Sequence, residues 1–237
     1  MEKYYIIVIC IVVLLIVIAV LIALRKLSRK KKDVVSDREA QYELNSYHQS
    51  QPEFRLERGI TVSIRQGDIT DEDVDVIVNA ANGRLQHGGG VARAIAMKAG
   101  EEINVDGQRA LSGRRGRELK VSEVLHTGGY NLKAKYVIHA VGPIRGKDNP
   151  FSYLLKRTFY HCLEYADVSL EARSIAIPLI SSGVFGGNKD ECADALLCAV
   201  KEFSQDDSFK TVNEIRLINI DAEATRAINT TFSIGLN

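Results

Sequence analysis

Val76-Ile77-Val78-Asn79-Ala80-Ala81-Asn82-Gly83-Arg84-Leu85-Gln86-His87-Gly88-Gly89-Gly90-Val91-Ala92 is the stretch from which the rest of the chain is read. It begins as an apolar β run, Val76 to Val78, and stops at Asn79-Ala80-Ala81-Asn82. After Gly88-Gly89-Gly90 it resumes with a helical pattern from Val91 to Ala99. A strand feeding a glycine run that opens a helix suits an anion. Backbone N–H groups at a helix start point outward, and the peptide dipoles favour negative charge there. Glycine tolerates positive φ and lets a ligand come close to the backbone. Asn79 and Asn82 set amides beside the small Ala80-Ala81 pair, so polar groups border a space with little side-chain bulk. On these residues alone, a tight strand-to-helix turn without a ligand is the competing reading.

The same logic recurs once. Ser174 to Ile180 reads as a buried strand, Ser181 to Asn188 as a glycine-rich turn, and Asp190 to Phe203 as a helix. Two such loops can hold a diphosphate between two sets of backbone donors. Only Arg84 and Lys189 flank them, and no Gly-Lys-Ser/Thr ending follows, which excludes a nucleoside-triphosphate P-loop. From Ile60 onward, strand patterns (Ile60 to Arg65, Asp75 to Ala80, Leu119 to His126, Tyr136 to Val141, Glu214 to Ile220) alternate with helical ones. The helical patterns are Glu101 to Ala110, Ser152 to Ala166 and Ala222 to Phe232, besides those following the two loops. Alternation of this kind predicts an α/β/α sandwich about a largely parallel sheet. Ligands of such sheets bind beyond the carboxyl ends of the strands, where both glycine loops and Gly67-Asp68 fall.

The first loop, with NAAN followed by HGGG, resembles the ligand loop of macrodomains, the ADP-ribose-binding family. Further motifs recur in order: Gly67-Asp68-Ile69-Thr70, Val137-Ile138-His139-Ala140-Val141-Gly142-Pro143, and Pro178-Leu179-Ile180-Ser181-Ser182-Gly183-Val184-Phe185-Gly186. The resemblance runs from about Ile60 to the C-terminus and is nearest to coronavirus and poly-ADP-ribose-polymerase-like (BAL-type) macrodomains. It implies a three-layer α/β/α sandwich with a central mixed sheet. It also implies that the chain binds ADP-ribose and hydrolyses mono-ADP-ribose from Asp or Glu of modified proteins. A non-catalytic reader of ADP-ribosylated proteins is the alternative.

Residue by residue, the resemblance makes Asp68 the acceptor for the adenine amino group, with Ile69 beside it. A carboxylate accepts that hydrogen bond and would repel a guanine carbonyl. Its other reading is a helix-start residue ahead of Thr70-Asp71-Glu72. Ala80, Gly88, Gly89, Gly90 and Val91 then line the first ligand loop, and Ser181, Ser182, Gly183, Val184, Phe185 and Gly186 the second. Asn82 matches the asparagine that binds the distal ribose, Asn79 is expected to brace the loop, and Phe185 matches the aromatic packed on that ribose. Asn82 and His87 are the catalytic candidates. His139 lies within a strand and reads as a core residue, while for His87 loop bracing and proton transfer both stand open. The chain departs from family patterns in three places. Asn219-Ile220 stands where an adenine-stacking aromatic is common, Val91-Ala92-Arg93 where one hydrolase class has an aspartate, and no QEE signature occurs.

The remaining sequence adds an appendage. The chain has 237 residues, 46% hydrophobic and 26% charged, with net charge +1. That suits one domain plus an extra segment and argues against a protein devoted to nucleic acid. Cys10, Cys162, Cys192 and Cys198 show no metal-like spacing and read as reduced thiols, which favours a cytosolic domain. No metal site or cofactor is expected. Tyr4 to Leu24 carries no charge, and as a helix it would span about 31 Å, close to the roughly 30 Å hydrocarbon core. It exceeds the usual signal-peptide apolar region of about 7–15 residues and runs into Arg25-Lys26-Leu27-Ser28-Arg29-Lys30-Lys31-Lys32 without a small-residue cleavage site. The expectation is a retained single transmembrane anchor (residues 1–24, helix 4–24), contacting the lipid bilayer, with the following domain in the cytoplasm by the positive-inside rule. A basic juxtamembrane segment and tether, residues 25–58, then leads to the macrodomain, residues 59–237. Arg109, Arg114, Arg115, Arg117 and Lys120 form a basic run that lacks interleaved aromatics and reads first as a solvated loop, so nucleic acid is not an expected partner.

Overall fold

In a computed structural model the chain is described over residues 52–114 and 116–236. The expected anchor and most of the tether lie outside the described residues, as does Arg115 of the basic run. Among the described residues no helix is long and apolar enough to cross a membrane.

Among the described residues, seven strands make one sheet: β1 (Glu53–Arg55), β2 (Thr61–Gln66), β3 (Val76–Ala80), β4 (Val124–Gly128), β5 (Tyr136–Ala140), β6 (Ser174–Ile177) and β7 (Glu214–Asn219). The α-helices that accompany them are α1 (Gly90–Ala99), α2 (Glu102–Ser112), α3 (Phe151–Glu164), α4 (Lys189–Gln205) and α5 (Ala222–Gly235). The strand order is β1-β2-β7-β6-β3-β5-β4. β2, β7, β6, β3 and β5 run parallel, and the two edges, β1 and β4, pair antiparallel to their neighbours. The sheet is therefore mixed, with a parallel centre.

Alternation along the strands decides the layers. Val76 and Val78 of β3 join Ile175 and Ile177 of β6 on the face covered by α3, α4 and α5, where Phe159, Leu163, Leu196, Phe203 and Phe232 pack. Ile77 and Ala176 point the other way, into a smaller core with Ile95 and Ile103 from α1 and α2. Burial on both faces is why β3 reads as an unbroken apolar run rather than an alternating one. The helix ends are held by named groups. Asn188 caps α4 by accepting from the amides of Asp190 (2.9 Å) and Glu191 (3.2 Å). At its far end, Arg58 donates to the carbonyls of Phe203 (2.7 Å) and Ser204 (3.1 Å) in the last turn and of Phe209 (2.7 Å) just beyond it, tying the helix end to the turn that follows.

Three strand boundaries differ from the sequence reading by three residues or more. The fold begins before residue 59: Glu53–Arg55, inside the stretch read as tether, adds an edge strand, and Phe54 packs at 6.2 Å from the Phe232 ring. A three-residue strand between polar neighbours gives too little alternation to be seen. Leu119 to Glu123 is not strand but a turn, with Ser122 at φ 67° and Glu123 N–H bonded to the Lys120 carbonyl at 3.0 Å. β6 ends at Ile177 because Pro178 has no N–H to continue the ladder.

The connections position the site. From β3 the chain leaves through α1 and α2 toward β4 and β5, whereas from β6 it leaves through α4 toward β7 on the opposite side. The boundary between β3 and β6 is thus a topological switch point, the crevice where open α/β sheets bind ligands. Both glycine loops spring from the carboxyl ends of these adjacent parallel strands, about 4.8 Å apart in the ladder.

Candidate functional site

The first loop covers residues 81–89. Asn82 organises it: its Oδ1 accepts from the amides of Arg84 (3.1 Å) and Gln86 (3.0 Å), and its Nδ2 donates to the Gln86 carbonyl (2.8 Å). Both oxygen lone pairs are used, but a primary amide has two N–H bonds, so one stays available. Asn82 can therefore brace the loop and still donate to a hydroxyl. Gly88, Gly89 and Gly90 are exposed, and a Cβ added at any of them meets nothing within 4 Å. What bars a side chain there is not the protein; only Gly90, at φ +56°, needs glycine for its conformation. The N–H groups of Gly89, Gly90, Val91 and Ala92, at the start of α1, have no partner among the loop's hydrogen bonds. Gly83 is different, since a Cβ there would lie 2.5 Å from the Leu119 carbonyl oxygen.

The second loop covers residues 178–188. Ser181, buried at φ 67°, donates its hydroxyl to the Pro143 carbonyl at 2.9 Å, and Ser182 donates to the Leu179 carbonyl at 2.7 Å. Tight turns bond Gly186 N–H to Gly183 O (2.9 Å) and Gly187 N–H to Ser181 O (2.8 Å). The N–H groups of Gly183, Val184 and Phe185 enter none of these bonds, and Val184 is 96% exposed. A Cβ at Gly183 meets nothing within 4 Å, while one at Gly187 would strike Cys192, Phe151 and the Ser181 carbonyl. Each loop thus offers a row of uncommitted donors beside open space.

Sequence reasoning missed the brace behind this loop. Arg145 N–H donates to the Phe185 carbonyl at 2.8 Å, its guanidinium pairs with Glu191, and the same cation lies 5.0 Å over the Phe151 ring. The Glu191 carboxyl, held also by Ser152, is kept below the usual carboxylate range chiefly by the Ser152 hydrogen bond, with Arg145 adding to it against the opposing effect of burial. The Gly142-Pro143 turn was the available signal, because a Cβ at Gly142 would strike Ser181 and Ile180.

Behind the first loop sits a polar chain. Asn79 and His139, both 0% exposed, meet with Asn79 Nδ2 at 3.0 Å from His139 Nδ1. The other imidazole nitrogen, Nε2, lies 2.9 Å from Thr127 Oγ1. Because the amide nitrogen donates, Nδ1 accepts and the proton resides on Nε2. Burial, and then the nearby His87, push the His139 pKa down to about 3. His87, half-buried, has Nδ1 3.5 Å from the same Asn79 Nδ2 and its ring 5.6 Å from that of His139, and burial lowers its pKa too. Both imidazoles are neutral near pH 7. His139 is a core residue, as expected, and Asn79 is the bracing amide.

At the far end of the crevice, beyond β6 and β7, Asp68 follows β2. Its Oδ1 accepts from the Thr70 amide and hydroxyl, both at 2.9 Å, and its Oδ2 takes no hydrogen bond among the described residues. The capping and ligand-binding readings are therefore compatible, one per oxygen. Ile69 is 4% exposed and packs in the smaller core. Ile220 is 77% exposed, and the Asn219 side chain accepts from the Leu179 amide at 2.9 Å, linking the ends of β7 and β6. Asp68 and the first loop are separated by three strand spacings, about 14 Å, with the second loop between them.

Two donor-bearing glycine loops at the switch point of a mixed α/β/α sheet define an anion- or nucleotide-binding module. A family model described as Macro domain matches residues 78–196, and the chain belongs to that family. An uncharacterized protein of Thermotoga maritima is 40% identical over 190 residues, which are 78% of this chain and 31% of that protein. This chain thus spans under a third of that relative. A macro domain-containing protein of Listeria monocytogenes is 36% identical over 169 residues, covering 71% of this chain and 94% of its own. Among solved structures, an Oceanobacillus iheyensis macrodomain mutant with ADPR has a TM-score of 0.73 and 31% identity, covering 78% of this chain and 98% of that one. A Trypanosoma brucei macrodomain in complex with ADP-ribose has a TM-score of 0.63 and 27% identity, over 71% and 68% of the two chains.

Proposed function

We propose that this chain binds ADP-ribose across the crevice and hydrolyses mono-ADP-ribose from Asp or Glu of modified proteins. The observation that carries the reading is the pair of uncommitted donor rows, Gly89 to Ala92 and Gly183 to Phe185, on adjacent strands. A diphosphate between them accepts from both rows with no lysine or arginine required, which suits a ligand that must leave again. Asp68 at one end offers a carboxylate oxygen to the adenine amino group, and Asn82 at the other offers one N–H to the distal ribose. Similar macrodomains solved with ADPR and ADP-ribose support the ligand. In the viral-like class, which the HGGG loop resembles, loop donors position a water and the substrate phosphate assists it.

One feature favours a non-catalytic reader instead. The glycine run continues Val91-Ala92-Arg93, supplying no carboxylate, and His87 is held neutral. Titration of the chain with ADP-ribose by calorimetry, paired with release from a Glu-modified protein, separates the two. Binding with release supports the hydrolase, and binding without release the reader.

The domain is proposed to be tethered to a membrane by residues 4–24 and to face the cytoplasm. The uncharged run followed by six basic residues supports this topology.

A further inference from the structure

The basic run from Arg109 to Lys120, which reads in the sequence as a solvated loop, is fastened to the first ligand loop. Leu119 N–H donates to the Gly83 carbonyl at 2.8 Å, and Gln108 Nε2 to the Arg84 carbonyl at 3.1 Å. Beneath them Leu85, Leu111 and Leu119 share a small apolar cluster with Ala81, Leu125 and Val141. Gly107 of α2 lets Leu85 in, since a Cβ there would be 3.1 Å from Leu85 Cδ1. The segment's described residues therefore form a ridge packed against the loop that carries Asn82 and His87.

Its charge is unbalanced. Arg114 is held by Glu123 at 2.7 Å, and Arg84 is 3.9 Å from Glu118. Arg109, Arg117 and Lys120 are exposed and make no ion pair among the described residues. The flank of the second loop is more nearly balanced. There Arg145 pairs with Glu191, Lys189 bridges Asp221 and Glu223 at 2.6 Å each, and Arg226 shares a shallow pocket with Asp190 and Glu223. A polypeptide joined to a ribose at Asn82 leaves the crevice between these two flanks, and the ridge sets three exposed cations without an ion-pair partner, among the described residues, beside its path.

We propose that the ridge docks the acidic stretch of polypeptide surrounding the modified carboxylate, so that the preferred partners are proteins ADP-ribosylated within runs of Asp and Glu. This rests on the ADP-ribose reading above and adds the sequence context of the substrate. Exposed charge pairs act modestly one by one and mainly set partner preference and encounter rate, and salt weakens them.

The test uses the full chain in detergent and peptides carrying ADP-ribose on glutamine, an amide stand-in for the glutamyl ester that permits binding without hydrolysis. One peptide has Asp and Glu flanks, the other Gln and Ser flanks, and free ADP-ribose and single-stranded RNA are measured beside them. The expected result is about tenfold tighter binding of the acidic-flanked peptide at low salt, the scale of three exposed pairs acting together. That preference should vanish at about 0.5 M salt, where screening shortens to a few ångströms. Arg109→Gln/Arg117→Gln/Lys120→Gln should remove the preference, and Arg109→Glu/Arg117→Glu/Lys120→Glu should reverse it, with free ADP-ribose affinity unchanged in both. Equal affinity for the two peptides, with ADP-ribose still bound, overturns the ridge proposal and leaves the ligand reading intact. RNA that displaces the acidic peptide and is itself lost in the charge variants overturns it in favour of a polyphosphate surface. Failure to bind ADP-ribose at all removes both.

Discussion

The amide of Asn79 donates to Nδ1 of His139 at 3.0 Å, wholly out of solvent, and the same nitrogen faces Nδ1 of His87 at 3.5 Å. One side chain from the end of β3 thus ties the ligand loop to the sheet through two neutral imidazoles. The arrangement has a cost in acid. Protonating His139 would put a positive charge where its Nδ1 meets an N–H donor and burial offers no solvation.

Stability should therefore depend on pH in a definite sense. The His139 pKa in the fold is about 3, below its ordinary value of 6.5, and that of His87 is also lowered. Between those limits the unfolded chain binds protons that the folded one does not. The contribution is complete above about pH 6.5 and is lost as pH falls, by up to about 1.4 kcal/mol per pH unit for His139 alone. Urea melts between pH 7.5 and 5 should show this decline, ahead of the carboxylates, which protonate in the unfolded chain nearer pH 4. His139→Asn should lower stability at pH 7.5 and flatten the slope. An unchanged slope would mean that His139 is protonated in the fold.

Glycine substitutions separate space kept for a ligand from space filled by the protein. Gly89 and Gly183 leave an added Cβ with no neighbour within 4 Å, and they lack the positive φ that demands glycine. Gly89→Glu and Gly183→Glu should each abolish ADP-ribose binding in calorimetry and shift Tm little. Gly83→Ala should behave the other way, destabilising by about 1–3 kcal/mol because its Cβ meets the Leu119 carbonyl oxygen at 2.5 Å. Unaltered affinity in both glutamate variants would remove the diphosphate from this crevice.

Much of this was legible in the residues. The apolar run at Val76 to Val78 and the glycine punctuation after it marked a buried parallel strand and its loop, because the period and the turn chemistry are local properties. The mixed sheet and its switch point depend on strand order, which no local pattern encodes. Arg145 was harder to read for a related reason: the Gly142-Pro143 turn marks a close approach to the second loop, but the partners of Arg145, Phe185 and Glu191, are distant in sequence. The Asn79–His139 contact joins residues 60 apart along the chain. Asn82 shows the limit from the other side, since its type suggested a ligand contact while the fold also makes it the organiser of its own loop.

Membrane attachment is tested on the full chain. If residues 4–24 span the bilayer, the protein should resist carbonate extraction, and protease added from the cytosolic side of sealed membranes should digest the domain. Neutralising the six basic residues between Arg25 and Lys32 should weaken the orientation bias. Extraction into the soluble fraction would refute the anchor, and protection from protease would reverse its direction.

The reaction itself makes the sharpest demand on the site. Breaking the bond between the distal ribose and a modified side chain develops positive charge on the sugar and negative charge on the leaving oxygen. A glutamyl or aspartyl carboxylate departs as a group of pKa about 4 and needs little proton donation, whereas a serine alkoxide needs a strong general acid. The first loop brings no carboxylate to that end of the crevice. Its histidine, His87, has its pKa lowered by burial and faces the Asn79 amide with Nδ1, so it is a poor proton source near pH 7. Hydrolysis of mono-ADP-ribosyl Asp or Glu is expected, with serine-linked ADP-ribose left intact. Asn82→Ala removes three loop hydrogen bonds together with the N–H offered to the ribose, and should lose most turnover, on the order of 100-fold or more. His87→Ala should cost less, about tenfold or below, because general acid–base assistance matters little with so good a leaving group. Release assays on the two linkages, with both variants and intact ADP-ribose binding as a control for His87→Ala, decide the matter. Efficient cleavage of the serine linkage would show that a proton donor has been overlooked, and binding without release from the acidic conjugate would make the chain a reader.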